Sequence, residues 1–286
     1  MKMPISDVEK VLGRPIHKNL CEFFPHSSLS KRVLITGANG SIGTDLIRRL
    51  RELGMDYLAT DIEGKHEYMD VTDFQQVLGV VNKFQPDIIV NIAGAKHAPE
   101  GEHETWKTLS INTIGTKNLI DACGPRTKVI LTSTCKSCNP EIVYGASKLI
   151  AERMTLNSGG SVARFFNVVE TSGNVFEIWD KVDDSLPIKV ATECGRHFIS
   201  VREATGLIMF CMDSRSGKYI VNSPELRRMD SVADALYPER EKVIISRRRG
   251  DRLDERFKGT AEEPISCLDG AVIKLTSNHE KDYEQL

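Results

Sequence analysis

Short apolar runs alternate with longer segments of helical periodicity over residues 32–169, and this alternation restricts the possible folds more than any other feature. The apolar runs read as buried strands, at residues 32–36, 56–60, 87–93, 128–134 and 161–169. The segments between them read as helices, at residues 42–53, 74–84, 106–123 and 143–156. Because strands joined by helices make right-handed crossovers, the sequence predicts an α/β fold with a Rossmann-type, doubly wound parallel sheet.

The pattern is less regular on both sides of this region. Before residue 31 only a short helical run near residues 8–12 stands out. After residue 169 we predict shorter elements, with strands at 188–190, 219–222 and 243–246 and helices at 201–212 and 231–236. The polar C-terminal end is not assigned. The sequence therefore predicts an N-terminal arm at 1–30, a main domain at 31–169 and a smaller, mixed C-terminal part at 170–286.

Composition excludes several classes of protein. The 286 residues are 40% hydrophobic and 27% charged with a net charge of -2, which gives no reason to expect nucleic acid or an anionic membrane. The basic run Arg247-Arg248-Arg249 is short, and we interpret it as a solvated surface or a contact to a diphosphate. No apolar run has the roughly 18–20 residues of a membrane helix, and the N-terminus lacks the apolar core of a signal peptide. Seven scattered cysteines do not suggest a disulfide framework, so we expect a cytoplasmic protein.

A glycine-rich turn, "ITGANGSIGTDL", follows the first predicted strand and opens the first predicted helix. Its glycines suit a tight turn and a close approach to a pyrophosphate, and the helix N-terminus offers free N–H groups to phosphate oxygens. A turn without a ligand is the alternative, but the strand-to-helix context favours dinucleotide binding. The expected cofactor residues here are Gly37, Asn39, Gly40, Ser41, Ile42 and Gly43.

The end of the second predicted strand indicates which dinucleotide binds. Asp61 stands there, where a carboxylate can accept hydrogen bonds from the adenosine ribose and repels a 2′-phosphate. This position favours NAD over NADP, although a surface aspartate is the alternative. Asp70 and Val71 follow at a place suited to the adenine ring.

A tyrosine and a lysine four residues apart follow the fourth predicted strand. Tyr144 and Lys148 share one face of the predicted helix, so a nearby ammonium can lower the pKa of the tyrosine from its usual value of about 10. Such a tyrosine can take a hydroxyl proton while a hydride leaves for the cofactor. Ser133 and Thr134 can position that hydroxyl. An incidental pair on an exposed helix is the alternative.

Cys135 and Cys138 form a C-x-x-C pattern just before this pair. The sequence has no second C-x-x-C or nearby C-x-x-H to complete a four-ligand zinc site. A redox C-x-x-C normally begins a helix after the first strand rather than a turn after the fourth. We therefore predict no metal site.

With these residues in place, the chain from about residue 8 to 260 resembles the extended short-chain dehydrogenase/reductase family. It is most similar to the polysaccharide-biosynthesis branch, which contains the UDP-N-acetylglucosamine 4,6-dehydratases. The segments "NIAGAKHAPEGE", "SINTIGT", "STCKSCNPEIVYGASK", "ARFFNVVETSGNV", "GRHFISVREA" and "GDRLDERF" each resemble a segment of that branch.

The resemblance implies further site residues. At the cofactor it implies Ala93, Gly94, Ala95, Lys96 and Asn112, in addition to Tyr144 and Lys148. For a UDP-sugar substrate it implies Lys96, His97, Asn167, Val175, Arg196, Arg252 and Glu255. It also implies a homo-oligomer, a dimer or larger, with the C-terminal part mainly binding the nucleotide sugar and the main domain binding NAD.

The resemblance also implies a mechanism with one conspicuous departure. In this branch NAD oxidises the hexose at carbon 4 through the tyrosine, a lysine takes the proton from carbon 5, and an aspartate helps water leave carbon 6. Tyr144, Thr134 and Lys136 match that pattern, but Cys135 stands where the aspartate is expected. A thiol, with an unperturbed pKa of about 8.5, donates a proton less readily than a carboxylic acid.

Three interpretations of this departure stay open. The first is a dehydratase acting on a UDP-N-acetylhexosamine in glycan or polysaccharide biosynthesis, with Cys135 as a poorer acid. The second is a nucleotide-sugar epimerase or variant eliminase, since epimerisation needs only oxidation, rotation and re-reduction. The third is a non-catalytic NAD-binding sensor or scaffold, against which the retained Tyr144 and Lys148 argue.

Overall fold

The computed structural model describes residues 3–96, 98–247 and 252–277. Its helices are α1 Ile5–Leu12, α2 Lys18–Cys21, α3 Ser41–Glu52, α4 Phe74–Phe84, α5 Ala98–His103, α6 Thr105–Leu109, α7 Gly115–Ala122, α8 Val143–Asn157, α9 Val175–Asp180, α10 Val201–Asp213 and α11 Met229–Leu236. A π turn, Ser110–Ile114, joins α6 to α7, and short 3-10 turns cover His26–Ser28 and Cys135–Ser137.

The strands are β1 Val33–Thr36, β2 Tyr57–Asp61, β3 Glu67–Tyr68, β4 Ile88–Asn91, β5 Lys128–Thr134, β6 Ser161–Phe165, β7 Asn167–Val168, β8 Ile188–Val190, β9 Gly195–Arg196, β10 Phe198–Ile199, β11 Gly217–Val221, β12 Arg227–Arg228, β13 Lys242–Ile244, β14 Glu262–Cys267 and β15 Val272–Ser277.

The central sheet confirms the predicted fold class. In the described residues it has nine strands in the order β14-β15-β11-β6-β5-β4-β1-β2-β3. The strands from β3 to β11 are parallel, and β15 and β14 run antiparallel at one edge. Three small two-stranded sheets, β10-β7, β12-β9 and β13-β8, form the mixed part of the fold.

Helices cover both faces of the sheet, as the continuous apolar strands require. All residues of β1 and β4 are buried, and α3 and α10 pack together over one face while α4 and α7 pack together over the other. A separate apolar cluster, centred on Phe176 and Trp179, fills the C-terminal part. Three strands from beyond residue 169, β11, β14 and β15, extend the central sheet.

The N-terminal arm packs on elements that come late in the sequence. Helix α1 contacts α11, and α2 contacts α10. Arg14 Nη1 lies 2.7 Å from the buried carboxylate Oε1 of Glu203 at the start of α10, which is capped by Ser200. These contacts hold the arm against the helices that follow residue 200. Among the described residues, no helix is long and apolar enough to cross a bilayer.

Candidate active site

A cavity of about 880 Å³ opens at the carboxyl ends of the central strands. It lies beside the point where the strand order reverses between β1 and β4, which is where doubly wound sheets bind ligands. Its walls come from the turn after β1, the ends of β2 and β5, the segment after β4, helix α8 and the chain after β6. They include Gly37, Gly40, Ser41, Ile42, Asp61, Asp70, Val71, Ala93, Gly94, Ala95, Lys96, Thr134, Lys136, Tyr144, Lys148 and Asn167.

The glycine-rich turn lines the cavity and packs closely against the segment after β4. Gly37 has φ of 68°, and a Cβ on it would lie 2.7 Å from the backbone nitrogen of Ala93. Gly40 is the N-cap of α3 and makes no side-chain cap, so the first N–H groups of this helix remain available to an anion. The turn and the helix end therefore fit a dinucleotide phosphate.

Asp61 and Asn39 fix the rim of the cavity beside this turn. The backbone N–H of Asn39 donates to Asp61 Oδ2 at 2.8 Å, and the Asn39 amide donates to the backbone oxygen of Glu63. Asp61 also accepts from the N–H of Ile62 at 2.8 Å. Its carboxylate is thus held at the end of β2, where an adenosine ribose would reach it.

Asn112 holds the segment after β4 in place. In the π turn, its Oδ1 accepts from the N–H of Ala95 at 3.0 Å, and its Nδ2 donates to the Ala95 oxygen at 3.1 Å and to Ser147 Oγ at 3.0 Å. Lys96 then crosses the cavity and donates from Nζ to the backbone oxygen of Ser172 at 3.2 Å. His97 lies outside the described residues, as do Arg248 and Arg249 of the basic run.

Tyr144 and Lys148 both line the cavity. Lys148 Nζ donates to the backbone oxygen of Thr132 at 3.1 Å, and burial lowers the pKa of Lys148 to about 8. Burial raises the pKa of Tyr144, against the opposing effects of the Lys136 ammonium and of a hydrogen bond with Thr134. Burial thus outweighs the Lys136 ammonium and the Thr134 hydrogen bond, so the Tyr144 pKa is raised rather than lowered.

Glycine at position 145 brings the tyrosine close to the turn that carries Lys136. A Cβ on Gly145 would lie 2.3 Å from the backbone oxygen of Lys136, so a larger residue would push α8 away from this turn. The contact explains how Tyr144 and Lys136 come to share one wall of the cavity.

Cys135 does not face the large cavity. Its side chain is only 2% exposed, and it borders a separate small void together with Lys136, Arg252 and Glu255. Burial and, to a smaller degree, the neighbouring Glu255 carboxylate raise the pKa of Cys135 to about 12. A thiol with this placement and pKa is a weak proton donor to a group in the cavity.

Residues predicted from the C-terminal segments lie in different places. Asn167 lines the cavity, and its Nδ2 donates to Glu255 Oε2 at 2.5 Å. Arg196, Glu255 and Arg252 are not among the residues that line it. Arg252 Nη1 donates to the backbone oxygen of Cys138 at 2.8 Å. Val175 begins α9 and packs against the cluster around Phe176 and Trp179.

A layer of four buried charged residues next to the cavity was not predicted from the sequence. It consists of Glu152, Arg164, Lys218 and Glu262. Glu152, on α8, accepts from Ser133 Oγ at 2.6 Å, so Ser133 is turned towards this layer. Arg164 joins Glu152 to Glu262 of β14, with Arg164 Nη1 2.6 Å from Glu262 Oε2. Lys218 contacts both carboxylates. Charged residues inside otherwise apolar strands, such as Arg164 in "SVARFF", were the available signal for this layer.

The segment "ARFFNVVETSGNV", noted above for its resemblance to the branch, also supplies part of the cavity wall. Phe165, Phe166 and residues 171–174 line the cavity, although they were not predicted from the sequence as site residues. Within the described residues, no group of three or more His, Cys, Asp or Glu side chains is arranged to hold a metal ion.

The fold is the Rossmann-type, doubly wound fold predicted from the sequence, with its cavity at the carboxyl ends of the parallel strands. A family model described as polysaccharide biosynthesis protein matches residues 57–265, more than half of the chain. The chain belongs to this polysaccharide biosynthesis protein family.

Two relatives illustrate the range of similarity. The probable polysaccharide biosynthesis protein EpsC of Bacillus subtilis (strain 168) is 31% identical over 240 residues, which cover 72% of this chain and 40% of EpsC. The chain therefore spans well under half of the length of that relative. A UDP-N-acetylglucosamine 4,6-dehydratase (inverting) of Campylobacter jejuni (strain 81-176) is 27% identical over 259 residues, which cover 79% of this chain and 76% of the relative.

Solved structures agree on the fold. The UDP-glucose 4-epimerase of Thermus thermophilus, in complex with NAD, superposes with a TM-score of 0.70 at 19% identity. The match covers 78% of this chain and 89% of the epimerase. At this level of identity the similarity concerns the fold alone.

Proposed function

We propose that this chain is an NAD-dependent enzyme that modifies the sugar of a nucleotide sugar through a 4-keto intermediate. The observation that carries the proposal is the position of Tyr144. It shares one cavity with the glycine-rich turn at one end and with Lys136 and Thr134 at its own end. A hydroxyl placed against Tyr144 can give up its proton there while the cofactor accepts a hydride.

Each part of the cavity suits a part of this chemistry. The turn at Gly37 and the N-terminus of α3 suit the cofactor phosphates, and Asp61 suits the ribose of NAD rather than the 2′-phosphate of NADP. Lys96 and Asn167 line the same cavity and offer polar groups to the sugar nucleotide. These placements support NAD and a UDP-sugar as the ligands.

The first candidate for the overall reaction is dehydration of a UDP-N-acetylhexosamine in glycan or polysaccharide biosynthesis. The family and the printed activity of the Campylobacter jejuni relative support it. After oxidation at carbon 4, the proton on carbon 5 becomes acidic, and loss of water from carbon 6 needs a proton donor. Lys136 is an ionisable side chain that lines the cavity together with Tyr144.

The second candidate is epimerisation or a variant elimination, and the placement of Cys135 favours it. The thiol lies outside the large cavity, and the carboxylates among its described lining residues are Asp61, at the end of β2, and Asp70, after β3, which we assign to the adenosine of the cofactor. An epimerase does not need an acid at carbon 6, since it only oxidises, rotates and reduces the sugar. This candidate differs from dehydration in the mass of the product.

One incubation separates the candidates. The protein is loaded with NAD and given UDP-N-acetylglucosamine, UDP-glucose or UDP-N-acetylgalactosamine, and the products are analysed by mass spectrometry and proton NMR, with Tyr144→Phe as the control. Loss of one water supports dehydration, and an unchanged mass with a new configuration at carbon 4 supports epimerisation. If the protein binds NAD but turns over no nucleotide sugar, the enzyme proposal fails in favour of a non-catalytic NAD-binding protein.

A further inference from the structure

An ion pair joins the turn after β5 to a segment near the C-terminal end of the described chain. Lys136 Nζ lies 2.8 Å from Glu255 Oε1. The two side chains differ in exposure, with Lys136 21% exposed and Glu255 only 3% exposed. The lysine therefore reaches the cavity wall, while the carboxylate sits behind it and out of solvent.

The Glu255 carboxylate is held from several directions. Asn167 Nδ2 donates to its Oε2 at 2.5 Å, and Arg196 Nε lies 3.5 Å from its Oε1. The backbone N–H of Glu255 donates to the oxygen of Gly195 at 3.2 Å. A buried carboxylate with this many donors keeps one position and remains ionised. Burial raises the pKa of Glu255, but the charges of Lys136 and Arg196 lower it, so that the pKa lies below its ordinary value.

Lys136, rather than Lys148, is the cation that acts most strongly on Tyr144. Among the influences that lower the Tyr144 pKa, the Lys136 ammonium comes first and the Thr134 hydrogen bond second. Lys148 is turned to the backbone oxygen of Thr132. The protonation state of Lys136 therefore affects how readily Tyr144 loses its proton.

Other charged groups near Lys136 do not replace Glu255. Cys135 has a raised pKa and stays neutral near pH 7. Lys96 donates to the backbone oxygen of Ser172. The small void beside Lys136 is also bordered by Arg252, Arg256 and Glu141. Burial lowers the pKa of Lys136, but Glu255 and then Cys135 raise it above its ordinary value of 10.5. Glu255 is the largest of these opposing influences.

From this geometry we propose that Glu255 is a positioning residue that holds Lys136 as a fixed cation beside Tyr144, so that Lys136 assists the tyrosine electrostatically and does not act as a base. The role of Lys136 in the reaction rests on the function proposed above, whereas its ion pair with Glu255 can be tested without any sugar. Lys136 then stays protonated at the cavity wall, whereas a lysine base would have to be neutral there.

The first test measures the ionisation of the Lys136 amine directly. Trace acetylation across a pH series, with peptide mass spectrometry, gives the pKa of Lys136 in the NAD-free protein. We expect a value above 10.5 in the wild type and a fall of about one unit or more in Glu255→Gln, because the partly buried ammonium loses its counter-charge. Glu263→Gln removes an exposed carboxylate of β14 and should leave this pKa unchanged.

A Lys136 amine that titrates below its ordinary value in the wild type would overturn the proposal. So would a Lys136 pKa that is the same in Glu255→Gln and the wild type. Circular dichroism shows whether Glu255→Gln is folded. If it is not, Glu255→Asp replaces it, since this variant keeps the charge and shortens the side chain. Glu255→Asp should show a smaller fall of the Lys136 pKa if the proposal is right and no fall if it is wrong.

The second test uses the pH profile of NADH formation with a turned-over nucleotide sugar. Removing the cation in Lys136→Met raises the Tyr144 pKa, so the rising limb should move to higher pH by about one unit or more. Lys136→Arg keeps a cation and should leave the limb near its wild-type position. An unmoved limb in Lys136→Met rejects the electrostatic role. Absence of turnover in the wild type rejects the proposed function instead, and the amine titration still decides the role of Glu255.

Discussion

Arg164 donates to both carboxylate oxygens of Glu152, from Nε to Oε1 at 2.9 Å and from Nη2 to Oε2 at 2.6 Å. Glu152 also accepts from Ser133 Oγ at 2.6 Å and from Ser137 Oγ at 2.7 Å. Since the two serines flank the turn that carries Cys135 and Lys136, this buried pair supports the wall of the cavity from below.

Glu152→Gln should strongly destabilise the protein. The substitution leaves Arg164 and Lys218 buried with one carboxylate fewer, and the loss of one partner of a buried ion pair costs about 3–5 kcal/mol. Urea unfolding at neutral pH measures the change. Glu52→Gln is the matched control, because its exposed pair with Arg48 should contribute less than about 1 kcal/mol. Equal losses in the two variants would contradict the prediction.

The same layer predicts loss of stability in acid. Although burial raises them, contacts with Arg164 and Lys218 lower the pKa values of Glu152 and Glu262 from 4.5 to about 2. A carboxyl whose pKa is lower in the folded state stabilises the protein above its unfolded pKa. That contribution is lost as the pH falls from about 4.5 to about 2. The urea midpoint should drop across this range, and the drop should be smaller in Glu152→Gln than in the wild type.

Tyr144→Phe should greatly slow oxidation of the sugar without loss of cofactor binding. The ring keeps its packing, but no group remains at this position to take the hydroxyl proton, which costs roughly 10²–10⁴-fold in rate. Single-turnover NADH formation measures the rate, and calorimetric titration measures NAD binding. Wild-type rates in this variant would mean that another residue takes the proton.

Asp61→Asn tests the choice between NAD and NADP. The amide keeps an acceptor for the N–H of Asn39, which lies 2.8 Å from Asp61 Oδ2, but removes the charge that repels a 2′-phosphate. The ratio of the two dissociation constants should move towards NADP by roughly tenfold, about 1.4 kcal/mol. Asp121→Asn, on an exposed position of α7, makes the same charge change away from the cavity and should leave the ratio unaltered.

Gly145→Ala and Gly79→Ala form a matched pair of helical substitutions. At Gly145 the new Cβ would lie 2.3 Å from the Lys136 oxygen, whereas at Gly79 it would meet nothing within 4 Å. We expect Gly145→Ala to destabilise the fold by about 1–3 kcal/mol and to slow NADH formation. Gly79→Ala should raise the stability by up to about 1 kcal/mol, through helix propensity alone. Chemical unfolding of both variants measures the difference.

The sequence pattern was enough to predict five parallel strands, β1, β2, β4, β5 and β6. Burial on both faces of the sheet makes each of these strands a continuous apolar run. The helix predicted at 106–123 is instead interrupted by the π turn at Ser110–Ile114. That interruption places Asn112 on the Ala95 backbone, a contact between residues 17 apart in the sequence. Helical periodicity holds no information about such a contact.

The hairpin of β14 and β15 was not assigned from the sequence for a different reason. Four consecutive residues of β14 are exposed, so this edge strand lacks the apolar run that marked the others.

The candidate site could likewise be predicted only in part from the sequence. The motifs placed the glycine-rich turn and Tyr144 at one site. They did not predict the ion pair between Glu255 and Lys136, because these residues are 119 positions apart and only the tertiary structure brings them together.

The position of β15 between β11 and β14 has a consequence for the order of folding. Strand β14 can join the sheet only after β15 has paired with β11, so Glu262 reaches Arg164 only once the chain has been synthesised through residue 277. Until then Arg164 and Lys218 lack one of their two carboxylates. During translation, the nascent chain can therefore form the parallel strands before residues 262–277 complete the buried charge layer under the cavity wall.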